Sequence, residues 1–136
     1  MQQSKAIDKV LFILHFTLAM IWIYQGSVPK LMFHALDEQR LWELHGLDEL
    51  TMLMLVDVAG LMEIIFGVLF LLLKQRKILH YFNMAAMLGL SIFILLTDVT
   101  YFQQAFNPFV MNLAIATLSV VAIQLMNIQH NQNITS

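Results

Sequence analysis

The chain has 136 residues, of which 60% are hydrophobic and 12% are charged, and its mean hydropathy is +0.75. Soluble domains carry about 25% charged residues, so this composition excludes a disordered chain and argues against an ordinary soluble domain. The net charge of −2 provides no basic patch for nucleic acid, and the lack of cysteine excludes disulfides and thiolate metal sites. The length suits a single domain over residues 1–136.

Four apolar runs predict four membrane-spanning helices, because a span needs roughly 20 mostly apolar residues. We place these helices at about 7–25, 51–73, 78–98 and 109–128. The first run follows Lys5 and Lys9, as in a signal peptide, but no small-residue cleavage pattern comes after it, so we expect it to stay uncleaved. The predicted fold class is all-α, an integral membrane four-helix bundle.

Basic residues predict the orientation of the bundle. Five of the seven Lys and Arg residues lie before or in the first turn of the first span, or between the second and third spans. The positive-inside rule therefore predicts that both termini are cytoplasmic. Residues 36–45 lie in the long first outer loop, contain good helix formers and lack Pro and Gly. They predict a short interfacial helix at the outer surface.

Polar side chains inside the spans are candidates for ligand binding or proton handling, because charged groups there cost roughly 2.5–3.5 kcal/mol each. Depths measured along the helices predict one polar layer near the midplane, consisting of His15, Glu63 and Asn83. A second layer, toward the outside, contains Trp22, Asp57 and Asn112. Tyr24, Lys30 and Asp98 lie at or beyond the outer edge.

Each candidate also has a purely structural interpretation. Buried carboxyl, histidine and asparagine side chains can fix helix packing through hydrogen bonds. Trp22 and Tyr24 also suit an aromatic belt. Lys30 can extend to the interface or pair with Asp57 or Asp98. Close helix packing is predicted at two small-residue faces, Gly60 with Gly67 and Ala85 with Gly89.

No metal site is predicted. His15 and His80 could in principle ligate a haem, but their predicted depths differ by roughly 8 Å, which argues against it. A loop cluster of acidic residues and histidines is better explained as a solvated face than as a metal site, and it comprises His34, Glu38, Glu43 and His45. No paired Glu-x-x-His motif indicates a di-iron centre.

Several motifs together resemble a known family. The first helix ends in Trp22-Ile-Tyr24-Gln-Gly26-Ser-Val-Pro29-Lys30, and Asp37-Glu38 follows in the loop. The second helix carries Gly60-Leu-Met-Glu63-Ile-Ile-Phe-Gly67, and Asn107-Pro108 with Asn112 opens the fourth. This pattern, over nearly the whole chain, is similar to the DoxX-like family of small bacterial four-helix membrane proteins.

The resemblance implies a redox-linked, quinone-associated accessory subunit of the bacterial inner membrane, embedded in the lipid bilayer and working with a redox partner protein. It supplies no catalytic residue set, so whether the chain is an enzyme stays open. A quinone is the cofactor that the polar residues suit, since a quinone site needs an apolar slot with a few polar groups. The alternatives are a small transporter or channel-like protein, including a homo-oligomer, and a non-catalytic membrane assembly factor.

Overall fold

The computed structural model describes residues 2–135, which form helices and, over that range, no strand. Helix α1 (Gln2–Gln25) continues into a π-helical segment (Gly26–Met32), and a short helix α2 (Leu36–Glu43) follows. Helices α3 (Glu49–Leu72) and α4 (Lys77–Thr97) come next, then a 3₁₀ turn (Val99–Gln103) and α5 (Pro108–Thr135). Four helices are long and apolar enough to cross a membrane, namely α1 with its π-helical segment, α3, α4 and α5. The predicted all-α membrane bundle is confirmed.

The four long helices pack as two pairs joined through α1. Helix α3 packs along α1 and the π-helical segment, α5 packs along α4, and α1 also packs against α5. The core at this junction contains Leu18, Trp22, Phe70, Met87 and Ile115, all buried. Outward-facing side chains are largely exposed and apolar, as expected for helices surrounded by lipid.

The two ends of the bundle differ. At one end, which we call the terminal end, α1 and α5 meet, and Gln129 Nε2 donates a hydrogen bond to Asp8 Oδ1 over 2.5 Å. The other end, the loop end, carries the π-helical segment, α2 and the 3₁₀ turn. The short helix predicted within residues 36–45 is therefore confirmed as α2, while the orientation of the bundle in the membrane stays a prediction.

Glycines let α1 and α3 approach closely. A Cβ atom on Gly60 would lie 2.8 Å from the carbonyl oxygen of Gly26, and one on Gly67 would lie 2.8 Å from that of Ala19. The predicted packing face of Gly60 and Gly67 is thus confirmed. The second predicted face, Ala85 with Gly89, is wrong.

Both Ala85 and Gly89 are exposed, and a Cβ on Gly89 would meet no atom within 4 Å. Helix α4 instead turns Asn83 and Met87 inward. The physical reason is that a buried asparagine finds hydrogen-bond partners inside the bundle, and lipid offers none.

The first span is longer than predicted. The apolar run predicted an end near residue 25, but the chain continues with Pro29 inside a widened, π-helical segment. Phe33 N–H donates to the carbonyl of Val28 over 3.2 Å, five residues back. Because proline lacks an N–H and clashes with the carbonyl four residues earlier, the wider turn lets the helix continue where an α-helix would end.

Candidate functional site

A cavity of about 300 Å³ lies among the loop-end halves of the helices. Helices α1 and α3 to α5, the π-helical segment, α2 and the residues after α4 all contribute to its lining. Its aromatic walls include Trp22, Trp42, Phe93 and Tyr101. Ligand sites commonly occupy about 300–1,000 Å³ and combine apolar walls with a few polar groups, so this cavity has the size and composition of a small ligand site.

The polar part of the cavity is a partly buried charge cluster formed by Lys30, Glu38 and Glu63. Lys30 is only 7% exposed. Its Nζ lies 2.9 Å from Glu38 Oε1 and 3.2 Å from Glu63 Oε1. Glu63 Oε2 is buried and has no hydrogen-bond partner among the described residues. Because a buried polar atom without a partner is costly, the cluster offers an open acceptor to a ligand that can donate a hydrogen bond.

The π-helical segment holds Lys30 in this position. Lys30 follows Pro29 directly, and Gly26, one turn earlier, packs against Gly60 of α3. The close approach of the two backbones places Lys30 beside Glu63, one turn further along α3. The sequence-based expectation that Lys30 pairs with Asp57 or Asp98 is therefore wrong.

Those two aspartates pair with other side chains at the loop end. Asp57 Oδ1 lies 2.9 Å from His34 Nε2, and both side chains are largely exposed. Asp98 Oδ2 lies 2.8 Å from Arg40 Nη2 on α2. Hydrogen bonds from Thr100, followed by the charge of Arg40, lower the pKa of Asp98. Both aspartates thus hold the loop end together and neither lines the cavity.

Helix α2 forms a cover over the cavity. Trp42 and His45 place their rings 6.0 and 5.5 Å from that of Phe93 on α4. Tyr101 donates its hydroxyl hydrogen to the carbonyl of Asp37 over 3.0 Å, and its burial raises the pKa of the phenol. Since α2 also packs on α3, it bridges α3 and α4 at the loop end.

A second polar group lies deeper in the bundle and begins at the cavity wall. Trp22 donates its indole hydrogen to Asn83 Oδ1 over 2.7 Å. Asn83 Nδ2 donates to Ser119 Oγ over 2.8 Å and to the carbonyl of Ile115 over 3.3 Å. These contacts join α1, α4 and α5 within the buried core.

The series of hydrogen bonds continues from Ser119 through two histidines. The hydrogen-bond partners of these histidines fix their tautomers. His15 Nδ1 lies 2.6 Å from the carbonyl of Leu11, so Nδ1 carries the proton and Nε2 is an acceptor. His80 Nε2 lies 3.2 Å from His15 Nε2 and must therefore donate to it. His80 Nδ1 then accepts the hydroxyl hydrogen of Ser119 over 3.1 Å. We call Trp22, Asn83, Ser119, His80 and His15 the neutral network; this single direction of donation uses both ring nitrogens of each histidine.

The structure divides the predicted midplane layer. His15 and Asn83 belong to the neutral network, whereas Glu63 belongs to the charge cluster. Although the predicted depths of His15 and His80 differ by roughly 8 Å, their side chains meet, with the Nε2 atoms 3.2 Å apart. The long π-helical extension moves the middle of the first span toward the loop end, so His15 lies nearer the terminal end than its predicted depth.

Two predicted candidates lie apart from both groups. Asn112 is buried, lines the cavity and donates to Ser91 Oγ over 3.1 Å. Tyr24 is 59% exposed and faces away from the cavity, as an aromatic-belt residue would.

Sequence reasoning assigned none of their observed roles to four contributors, namely Glu38, His80, Tyr101 and Ser119, although it considered Glu38 as a metal ligand and His80 as a haem ligand. Spacing could have indicated two of them. His80 precedes Asn83 by three residues and Ser119 follows Asn112 by seven, so each shares a helix face with a predicted residue. Nothing in the sequence indicated that Glu38 reaches a residue eight positions away across a turn.

No group of three or more His, Asp or Glu side chains in residues 2–135 is arranged to hold a metal ion. The loop cluster considered above is divided among separate partners. His34 contacts Asp57, Glu38 contacts Lys30, and His45 Nδ1 contacts the carbonyl of Leu41.

Comparison with known proteins identifies the family of this architecture. Neither a curated protein nor a solved structure matches the chain. The sequence profile of the DoxX-like family matches residues 19–120, which include Lys30, Glu38, Glu63 and most of the neutral network. With three quarters of its length matched, the chain belongs to the DoxX-like family.

Proposed function

We propose that this DoxX-like protein is a quinone-associated accessory subunit of the bacterial inner membrane, and that its loop-end cavity binds the ring of a quinone or quinol. The observation that carries the proposal is Glu63 Oε2, a buried carboxylate oxygen without a partner, in a cavity with aromatic walls. A quinol hydroxyl group is a donor that fits this acceptor, and an aromatic wall favours a flat ring.

The charge cluster has groups for both oxidation states of such a ligand. Lys30 Nζ can donate to a quinone carbonyl, and Glu63 can accept a hydrogen bond from a quinol hydroxyl. Trp22 and Tyr101 already donate their polar hydrogens to Asn83 and to the carbonyl of Asp37. Their rings therefore form walls of the cavity, and Lys30 and Glu63 provide the hydrogen bonds to the quinone or quinol.

The proposed role is that of a subunit because the chain's own residues supply binding and proton exchange. Glu38 connects the cluster to the loop-end surface, since its side chain is 26% exposed while that of Glu63 is 15% exposed. Electrons would pass between the bound quinone and a redox partner protein. With the predicted orientation, the cavity lies toward the outer face of the membrane.

Tryptophan fluorescence tests this proposal directly, because both tryptophans of the chain line the cavity. Protein purified in mild detergent is titrated with decylubiquinone, and we expect saturable quenching. Glu63→Gln should weaken binding roughly tenfold or more, since a hydrogen bond to a charged group contributes about 1.5–3 kcal/mol. Asp57→Asn is the matched control, on the same helix but exposed and outside the cavity.

The result also separates the alternative functions. Absence of saturable quenching, or equal affinities of the Glu63→Gln variant and the parent, would contradict quinone binding at this site. A transporter predicts that Glu63→Gln reduces solute flux in vesicles. An assembly factor predicts altered recovery of a partner protein without any ligand effect.

A further inference from the structure

The two helix pairs leave a gap between α3 and α4 that is bridged at two levels. Toward the terminal end, Phe70 of α3 lies 5.3 Å from the ring of His80 on α4. At the loop end, α2 crosses from α3 to Phe93. Between these bridges, Glu63 of α3 and Leu90 of α4 line the cavity.

Leu90 of α4 lies at this gap and is only partly covered by the rest of the bundle. It lines the cavity and is nevertheless 38% exposed. It lies three residues from the middle of α4 (Lys77–Thr97), or about 4–5 Å along the helix axis. At that depth the surroundings of the helix are the acyl chains of the bilayer.

Small residues flank this gap. On the cavity side, α3 contributes Ala59 as well as Glu63 to the wall. On the outer side, Gly89 has no atom within 4 Å of its missing Cβ. We call the opening between Ala59 and Leu90 the lateral window.

We propose that the cavity ligand enters through the lateral window from the bilayer, and that it is a lipid-soluble amphiphile whose apolar chain stays in the window while its polar ring contacts Glu63. This inference rests on the proposed function and adds the route and the chain-bearing nature of the ligand. An apolar chain partitions into the bilayer, so a route that begins among acyl chains keeps the chain out of water throughout.

A competing route exists at the loop end. Met111 and Phe106 also line the cavity and are 45% and 92% exposed. Met111 lies in the first turn of α5, which begins at Pro108, and so faces the headgroup region. A ligand entering there would have to leave the hydrocarbon layer first, which an apolar chain opposes.

The test compares two quinones on protein in lipid nanodiscs, with tryptophan quenching followed after rapid mixing. Decylubiquinone carries an apolar chain, and the ubiquinone headgroup without a chain does not. Leu90→Phe narrows the window, Met111→Phe narrows the loop-end opening, and Leu88→Phe is the control. Leu88 is on the same helix, 64% exposed, and does not line the cavity.

We expect Leu90→Phe to slow decylubiquinone binding at least about fivefold, an effect on association of the size that steric access produces. Binding of the chainless headgroup should change by less than about twofold, as should both reactions in the Leu88→Phe variant. Leu90→Ala, which widens the window, should bind decylubiquinone at least as fast as the parent. This second variant keeps the test valid if Leu90→Phe folds poorly.

Three results would overturn the inference in distinguishable ways. Slowing by Met111→Phe but not by Leu90→Phe would show entry at the loop end. Equal slowing of both quinones by Leu90→Phe would show a narrowed cavity without a chain in the window. If neither quinone quenches the parent protein, the proposed function fails and the inference fails with it.

Discussion

Two regions of this molecule treat buried polar groups in opposite ways. Helix α1 with its π-helical segment, α2 and α3 bring together Lys30, Glu38 and Glu63, which are charged. Residues 78–97 and 99–136 contain no Lys, Arg, Asp or Glu, so apart from Lys77 at the start of α4, helices α4 and α5 contribute only uncharged residue types to the bundle. The comparison of the charge cluster with the neutral network therefore separates two kinds of buried polarity.

The two regions differ in whether their buried polar atoms have hydrogen-bond partners. In the neutral network, His15 and His80 use both ring nitrogens, and Asn83 uses its oxygen and its nitrogen. In the charge cluster, Glu63 Oε2 has no hydrogen-bond partner among the residues that the structure describes. A satisfied network stabilises packing in lipid, whereas an unsatisfied carboxylate beside a cavity is suited to a ligand.

Removing the cation should produce the largest effect. Lys30→Met leaves two carboxylates buried together, and breaking a buried ion pair costs about 3–5 kcal/mol. We expect the free energy of unfolding in detergent to fall by about that amount, and the double variant Lys30→Met/Glu63→Gln to recover part of it. Lys77→Met, on an exposed hydrogen bond to Asn127, is the control; an equal loss in both single variants would contradict the comparison.

Breaking the neutral network should affect stability but not ligand binding. Asn83→Leu leaves the Trp22 indole N–H without its acceptor and Ser119 without a donor, at about 1–3 kcal/mol for each unsatisfied group. Quinone affinity per folded molecule should stay within about twofold of the parent, because Lys30 and Glu63 are untouched. Asn127→Leu controls for the substitution at an exposed site. A tenfold loss of quinone affinity in Asn83→Leu would show that the two regions are one functional unit.

Glycine packing tests whether the close approach of α1 and α3 holds the charge cluster. A Cβ on Gly60 would lie 3.0 Å from Lys30 Cβ, so Gly60→Ala must shift α1 or Lys30. We expect a loss of about 1–3 kcal/mol, as for other overpacked sites, together with weaker quinone binding. Gly89→Ala is the matched change on α4 and should be neutral or stabilising by up to about 1 kcal/mol. Equal unfolding free energies for the two variants would contradict the packing argument.

The smallest effect is expected for the ion pair of Asp98 with Arg40 at the loop end. The lowered pKa of Asp98 means that folding favours its charged form. Its contribution to stability is complete above the ordinary aspartate pKa of about 3.9 and disappears as the pH falls through the lowered pKa. Asp98→Asn should therefore flatten the fall in melting temperature below about pH 4, whereas Glu49→Gln should not. An unchanged slope in Asp98→Asn would assign the acid sensitivity to other groups.

The length of the apolar runs was enough to predict the four spans, because lipid demands helices of a limited length. The helix formers of residues 36–45 similarly predicted α2. The end of the first span could not be predicted in the same way. Whether a chain with Pro29 ends its helix or widens it depends on packing against α3, which the local sequence does not encode.

The sequence indicated the candidate residues but not which of them contact each other. Their scarcity in apolar helices indicated Glu63, His15 and Asn83, but a depth measured along straight helices placed all three in one layer. Pairing depends on helix rotation and on side-chain reach, so Lys30 meets Glu63 and His15 meets His80. Both contacts join helices whose relative rotation is set by the packing of Gly60 and Gly67 against α1 and by the core.

The pairing of Lys30 with Glu63 also has a consequence for biogenesis. The cation belongs to the first span and the carboxylate to the second, so the cation is synthesised before its partner reaches the membrane. A lone charge in a span costs roughly 2.5–3.5 kcal/mol on insertion. Entry of the two spans as a hairpin, with the pair already formed, offsets the insertion cost of both charges. The later hairpin of α4 and α5 carries no charged side chain within its spans other than Lys77 at the start of α4.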